Sequence, residues 1–232
     1  MLTVAVVDDH NLFRKSLIML MGTFKGVEVV LEAENGKKLL EILPNKNPDI
    51  ILLDIEMPEM DGFSTCCKLR QEFPEQKILI VSEHQNNATF KKIIEAGAHG
   101  YFSKKSEPKQ LEHAIWSIVQ KGYYFDPEMG VALRDLLVWD RKNAQKQLCC
   151  GTPLTKREIE IIKMAGQEKS SNEIAALLFI NVRTVETHRQ RIMKKTNSRN
   201  FFGSILYALK NRYLMIEDLM QLLLLLSCSI ST

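Results

Sequence analysis

Three carboxylates, a hydroxyl and an ammonium stand at the ends of four apolar runs in the first half of this 232-residue chain. Asp8 and Asp9 follow Thr3 to Val7, Asp54 follows Ile50 to Leu53, Ser82 follows Ile78 to Val81, and Lys104 stands just past Gly100 to Phe102. Clustered carboxylates repel one another, and such a group persists where a shared cation neutralises it; an all-oxygen ligand set suits Mg²⁺. The same cation attracts a phosphoryl group, whose remaining oxygens would meet the Lys104 ammonium and the Ser82 hydroxyl. An aspartate in that setting can act as a nucleophile and form an acyl phosphate.

For these groups to meet, the apolar runs must be neighbouring strands. A fifth run, Val27 to Leu31, lies among them, and segments of helical period separate all five, such as Leu12, Ser16, Leu17, Met19 and Leu20, or Ala88, Phe90, Ile93 and Ile94. Strand alternating with helix predicts a parallel sheet covered on both faces, an α/β domain whose ligands bind beyond the carboxyl ends of the strands. Asn35-Gly36, Pro44 to Pro48, Pro58 to Gly62, Phe73-Pro74 and Gly97 punctuate that register. Pro108 followed by Gln110 to Lys121 reads as a closing helix, with Leu111, Ala114, Ile115, Ile118 and Val119 on its apolar face, so the first domain spans residues 1–122. Taken singly, Asp8 and Asp9 are suited to cap a helix starting near Asn11, Lys104 to be a surface lysine and Tyr101 a core residue.

Charge divides along the chain. Residues 1–122 hold 15 basic and 17 acidic side chains, residues 123–151 hold 4 of each, and residues 152–232 hold 12 basic and 7 acidic, so the overall formal charge of +3 conceals an acidic end and a basic one. The basic end suits a polyanion. With 45% hydrophobic and 25% charged residues the chain is expected to be soluble and folded rather than disordered. The run Leu2 to Val7 is too short for a signal peptide, and the apolar stretch Leu214 to Ile230 is interrupted by Glu217, Asp218 and Gln221, so no membrane association is expected. Cys66, Cys67, Cys149, Cys150 and Cys228 form neither a CxxC pair nor an even set, which predicts free thiols in a reducing cytoplasm. Residues 123–151 read as a linker with a helix over Met129 to Trp139, and residues 217–232 as an apolar tail whose Leu222 to Leu226 run packs on this chain or a second copy.

The last third has no strand-like runs and four helical patterns: Lys156 to Ala165, Ser171 to Leu178, Thr184 to Lys195 and Asn200 to Lys210. In the third, Val185, His188 or Arg189, and Ile192 share one face, while Arg183, Glu186, Thr187, Gln190 and Lys194 lie opposite. Polar tips near a helix start, flanked by cations, are what reading a DNA major groove requires. The short turn back to Asn172 to Leu178 has helix-turn-helix spacing. Glu186 is as well suited to pairing along its own helix with Gln190, or to capping its first turn, as to reading a base, and His188 is suited to local packing.

Two resemblances follow from these motifs. Residues 1–122, through Asp8-Asp9, the Asp54-x-x-Met57-Pro58-x-x-Asp61-Gly62 segment, Ser82, Ala96-Gly97-Ala98, Gly100-Tyr101 and Lys104, resemble a flavodoxin-like (βα)5 response-regulator receiver. Residues 152–216, through Leu154-Thr155-x-Arg157-Glu158, Ser171 to Ala175, Thr184-Val185-x-x-His188 and Ile192-x-x-Lys195, resemble the LuxR-type helix-turn-helix, with Asn181 where that family often has Ser at a helix cap. Together they point to the NarL/FixJ-type two-component response regulators. The resemblance implies that Asp54 accepts a phosphoryl group from a sensor histidine kinase. It implies that Asp9, Asp54 and the Glu56 main-chain carbonyl bind Mg²⁺ directly, that Asp8 helps through water, and that Ser82 and Tyr101 carry the switch. It further implies that Glu186, Thr187 and Gln190 read bases of double-stranded DNA, that Arg183, Arg189, Arg191 and Lys194 meet phosphates, and that activation produces a homodimer.

Glu83, after Ser82, departs from the small residue usual there, and a carboxylate at that point repels a phosphoryl donor. A DNA-binding regulator with a degenerate, phosphorylation-independent receiver is therefore the rival reading. An Asp-nucleophile phosphatase would need an Asp-x-Asp arrangement and a substrate cap, and no segment supplies the cap, so no enzyme is expected.

Overall fold

A computed structural model describes residues 1–83, 87–125 and 153–215. The expected linker helix over Met129 to Trp139, the tail 217–232, and Cys149, Cys150 and Cys228 lie outside the described residues; within them Cys66 and Cys67 are free thiols.

The amino-terminal unit runs β1 (Leu2–Val7), α1 (Asn11–Met21), β2 (Val27–Ala33), α2 (Gly36–Ile42), β3 (Ile50–Leu53), α3 (Gly62–Glu72), β4 (Lys77–Ser82), α4 (Asn87–Ala96), β5 (Gly100–Ser103) and α5 (Pro108–Lys121). The five expected strands are parallel and adopt the order β2-β1-β3-β4-β5. A further strand, β6 (Tyr124–Phe125), adds two residues alongside β5 where the residue pattern predicts none. Alternate side chains of the central strands serve two separate cores, because the sheet is covered on both faces. Val7, Ile51, Leu53, Ile78 and Ile80 pack against α2, α3 and α4, whereas Val4, Val6, Ile50, Leu52, Leu79 and Val81 pack against α1 and α5. Strand order reverses between β1 and β3, and Val7 pairs with Leu53 there, so the residues immediately after each emerge side by side.

Local chemistry sets the helix ends near that edge. Asp61 caps α3 by accepting from the Ser64 N–H at 2.7 Å. A Cβ on the next residue, Gly62, would lie 2.1 Å from the Asp54 carbonyl oxygen, so glycine allows α3 to start against the end of β3. Pro108 opens α5 behind a Glu107/Gln110 capping box, and Gly122, at φ +88°, closes it.

The carboxyl-terminal unit is all helical among its described residues: α6 (Lys156–Gly166), α7 (Ser171–Leu177), α8 (Val182–Lys195) and α9 (Phe201–Lys210). Capping boxes start α6 (Thr155 with Glu158) and α7 (Ser170 with Glu173). Asn181 caps α8 through the Arg183 N–H, two residues earlier than the helical pattern alone suggested. Ile161, Ile162, Ile174, Val185, Ile192, Phe202 and Ile205 form a third core. Glu158 is 3% exposed and pairs with Lys195 at 2.8 Å. Burial opposes its ionisation, but the Lys195 ammonium and the Thr155 donors outweigh it and hold this carboxyl below its ordinary value.

The two units share a polar seam. Tyr123 Oη donates to the Ala165 carbonyl at 2.7 Å, Lys121 pairs with Glu168 at 3.0 Å, and Arg199 Nη1 donates to the Glu95 carbonyl at 2.7 Å. Asn200 Nδ2 donates to the Ala98 carbonyl, while Tyr123 and Ile94 pack with the third core.

Candidate phosphoacceptor pocket and nucleic-acid interface

The strand ends deliver Asp8, Asp54, Ser82 and Lys104 to one edge of the sheet, as the order of the strands requires. Asp8 is 1% exposed and Asp54 4% exposed, and the Lys104 ammonium bridges them at 2.7 and 2.9 Å. The second Asp8 oxygen accepts from the His10 N–H at 2.9 Å, and the second Asp54 oxygen from the Ile55 N–H at 2.8 Å. Asp8 thus orders the turn into α1 while also facing the pocket, but neither it nor Asp9 caps the helix, contrary to the capping alternative. His10 occupies the capping position itself and makes no side-chain cap hydrogen bond.

Burial pushes the Asp54 carboxyl above its ordinary value, and the Asp8 charge adds to that, against the opposing Lys104 ammonium and Ile55 N–H. Burial works against charge on Lys104 as well, yet its bonds to Asp8 and Asp54 prevail and raise it. Lys104 also lies 4.4 Å from the centroid of the Phe13 ring, which walls the pocket. Asp9 Oδ1 is buried without a hydrogen-bond partner. One ligand atom each from Asp8, Asp9, His10 and Asp54 lies within 4.8 Å of the others, a donor set that fits a divalent cation. Nothing in the reading of motifs singled out His10; its only signal was adjacency to the acidic pair.

Ser82 is buried at the end of β4, and Tyr101 is buried on β5 with its Oη donating to the Ser82 carbonyl at 3.2 Å. The Tyr101 ring meets Phe90 of α4 edge-on at 5.1 Å. Glu56 and Glu83 are exposed on the loops that follow β3 and β4.

On α8, Arg183, Glu186, Thr187, Gln190, Arg191 and Lys194 are exposed. A surface cavity of about 400 Å³ lies among Asn181, Arg183, Thr184, Thr187, His188 and Arg191, cationic and hydroxyl-lined as a phosphate backbone requires. Glu186 does not pair with Gln190: it accepts from Ser171 Oγ and lies 3.7 Å from Arg189. Arg189, expected among the phosphate contacts, occupies the inner face instead. It is 5% exposed, donates to Ser171 Oγ at 2.7 Å and to the Lys121 carbonyl of α5, and stacks 4.1 Å from the Phe201 ring. The residues were legible; the partner that buries Arg189, 68 positions away, was not.

A doubly covered parallel sheet with a carboxylate–lysine pocket, joined to a four-helix unit with an exposed basic helix, defines a signal-receiving DNA-binding regulator. Residues 4–116 match the response regulator receiver domain, and residues 152–208 match the luxR family of bacterial regulatory proteins. The chain is 30% identical over 215 residues to the oxygen regulatory protein NreC of Staphylococcus carnosus, covering 91% of this chain and 98% of NreC. It is 28% identical over 225 residues to the transcriptional regulatory protein DegU of Brevibacillus brevis, covering 92% and 95%. A crystal structure of a LuxR-family two-component response regulator from Aurantimonas sp. SI85-9A1 superposes with a TM-score of 0.55 at 31% identity, over 59% of this chain and 97% of that one. The chain belongs to the NarL/FixJ-type response regulators, two-component transcription factors with a receiver and a LuxR-type DNA-binding domain. Receivers typically bind Mg²⁺ at the acidic pocket, and a receiver implies a histidine kinase partner. Among the described residues no helix is long and apolar enough to cross a membrane.

Proposed function

We propose that Asp54 accepts a phosphoryl group from a phosphohistidine of a sensor histidine kinase, and that this controls dimerisation and DNA binding. The phosphorus–nitrogen bond of the donor breaks as a phosphorus–oxygen bond to the Asp54 carboxylate forms, and the imidazole leaves. The observation that carries this reading is Lys104 held between Asp8 and Asp54, a cation already placed where phosphoryl oxygens arrive. Mg²⁺ held by Asp9, Asp54 and the Glu56 main-chain carbonyl, with Asp8 acting through water, would supply the charge that lets an anionic donor approach an anionic acceptor. Ser82 and Tyr101 carry the change toward α4, because Tyr101 touches both the Ser82 carbonyl and Phe90.

In this reading residues 1–122 are the receiver, 123–151 a linker, 152–216 the DNA reader and 217–232 an apolar tail. Glu186, Thr187 and Gln190 read bases, and Arg183, Arg191 and Lys194 meet phosphates. Glu186 must first leave Ser171, and Arg189 meets DNA only if it leaves the seam with α5. Dimers then engage paired half-sites.

Treatment with acetyl phosphate and Mg²⁺ is expected to add one phosphoryl group to the intact protein by mass spectrometry, and none to Asp54→Asn. Mobility shift on fragments that the chain selects from a random DNA pool is expected to strengthen on phosphorylation. The second reading, DNA binding without phospho-control, draws on the exposure of Arg183, Thr187, Gln190, Arg191 and Lys194 in the unphosphorylated chain. Equal affinity with and without a phosphodonor would establish it and overturn the first.

A further inference from the structure

His10 is the pocket residue for which the receiver chemistry above has no use. It ends the turn from β1 into α1, where its backbone N–H is fixed by Asp8 Oδ1 at 2.9 Å. Its ring caps nothing. Instead Nδ1 lies 3.1 Å from Asp9 Oδ1 and 3.9 Å from Asp8 Oδ1, and the side chain is 74% exposed, within reach of a hydrated ion.

The Asp9 oxygen is buried and its approach to the ring is not aligned as a hydrogen bond. What the separation does match is two neighbouring ligands on one small ion: with bonds of about 2.1 Å at right angles, adjacent ligand atoms stand about 3 Å apart. The imidazole nitrogen and the Asp9 and Asp54 carboxylates, with Asp8 placed to act through water, lie within 4.8 Å of one another and make a mixed oxygen–nitrogen set.

Nitrogen changes what such a set prefers. Mg²⁺ is a hard ion that favours oxygen and keeps several waters, so an added imidazole does little for it. First-row transition cations take imidazole readily, with affinity rising from Mn²⁺ through Co²⁺ to Ni²⁺. We infer that His10 is a further metal ligand of this pocket, through which the site favours imidazole-accepting first-row divalent cations over Mg²⁺. The inference rests on the reading of the acidic pocket as a cation site and adds to it the class of ion the site discriminates.

The test uses the full chain, with Mn²⁺, Ni²⁺ and Mg²⁺ themselves as probes. Electron spin-echo modulation of bound Mn²⁺ is expected to show one coordinated nitrogen in the wild type and none in His10→Ala or His10→Asn, variants checked for unchanged circular dichroism. Calorimetry is expected to show Ni²⁺ affinity falling about tenfold in His10→Ala, on the order of the loss when a metal site's support is removed, while Mg²⁺ affinity stays within about twofold. Mn²⁺ bound in the pocket with no nitrogen signal, or Ni²⁺ and Mg²⁺ affinities weakened alike, would overturn the role of His10 and leave the cation pocket standing. Binding that persists undiminished in Asp9→Asn and Asp54→Asn would instead overturn the pocket itself.

Discussion

The guanidinium of Arg189, on α8, donates to the main-chain carbonyl of Lys121 at the end of α5. Carbonyls in the last turn of a helix lack intrahelical partners and lie at the negative end of its dipole, so a cation is well placed there. Gly122 makes room: a Cβ on it would stand 2.5 Å from Arg189 Nη2. The same arginine meets Ser171 and Phe201, so one side chain of the DNA-binding unit closes its own core and fastens it to the receiver.

Replacing Arg189 with methionine keeps most of the stem packing and removes the donors. The two units are expected to separate, read as a larger radius of gyration by small-angle scattering and faster amide exchange at the start of α8. An unchanged radius and unchanged exchange would show that the remaining seam through Tyr123, Arg199 and Asn200 suffices.

Asp54→Asn is expected to raise the thermal midpoint by a few degrees at neutral pH, roughly the effect of 1 kcal/mol in a domain this size. Burial raises the folded-state value of this carboxyl above the unfolded one, so its contribution to stability is greatest below the unfolded value and is lost as pH rises through the folded one. The gain from the substitution should therefore shrink on acidification. A midpoint difference independent of pH between mildly acidic and neutral solution would contradict this account.

Glu158 gives the opposite sign. Its carboxyl is held below the ordinary value, so its stabilisation is present above the unfolded value and disappears as pH falls through the folded one. Glu158→Gln is expected to cost the helical unit about 2 kcal/mol at neutral pH, since the buried acceptor of Lys195 loses its charge. Urea unfolding followed at neutral pH and again in acid, where the difference should narrow, checks both magnitude and direction.

Glu83 lies exposed, next in sequence to the buried Ser82 that ends β4. Glu83→Ala is expected to speed phosphorylation by acetyl phosphate, because one repelling carboxylate is gone, and to alter the lifetime of the aspartyl phosphate. Identical rates and lifetimes would mean the side chain faces away from the donor.

Much of the receiver was legible because its signals are local. The apolar run Thr3 to Val7, bounded by Asp8, is β1 but for Leu2; Ile50 to Leu53 is β3 without change; and α5 ends before Gly122 as expected, while opening at Pro108, two residues ahead of Gln110. Parallel strands separated by helices must direct the residues after them to one edge, so the meeting of Asp8, Asp54, Ser82 and Lys104 follows from order along the chain. β6 escaped notice because two residues carry no periodicity; its backbone bonds to β5 define it.

Side-chain roles in α8 depended on more distant partners. Helical period left the inner face to His188 or Arg189, and the family resemblance implied an outward, phosphate-facing Arg189. The Lys121 carbonyl, the Ser171 hydroxyl and the Phe201 ring together bury it. Likewise, sequence order alone placed His10 next to the acidic pair but not its ring against Asp9, which depends on the turn that Asp8 holds. Amino-acid pattern by itself determined the elements, the acidic strand ends and the basic helix, since those arise from burial and hydrogen bonding within a few residues. Tertiary structure alone decided which charges are buried and which partners they take, since contacts between residues tens of positions apart exist only once the chain has folded and its elements are packed.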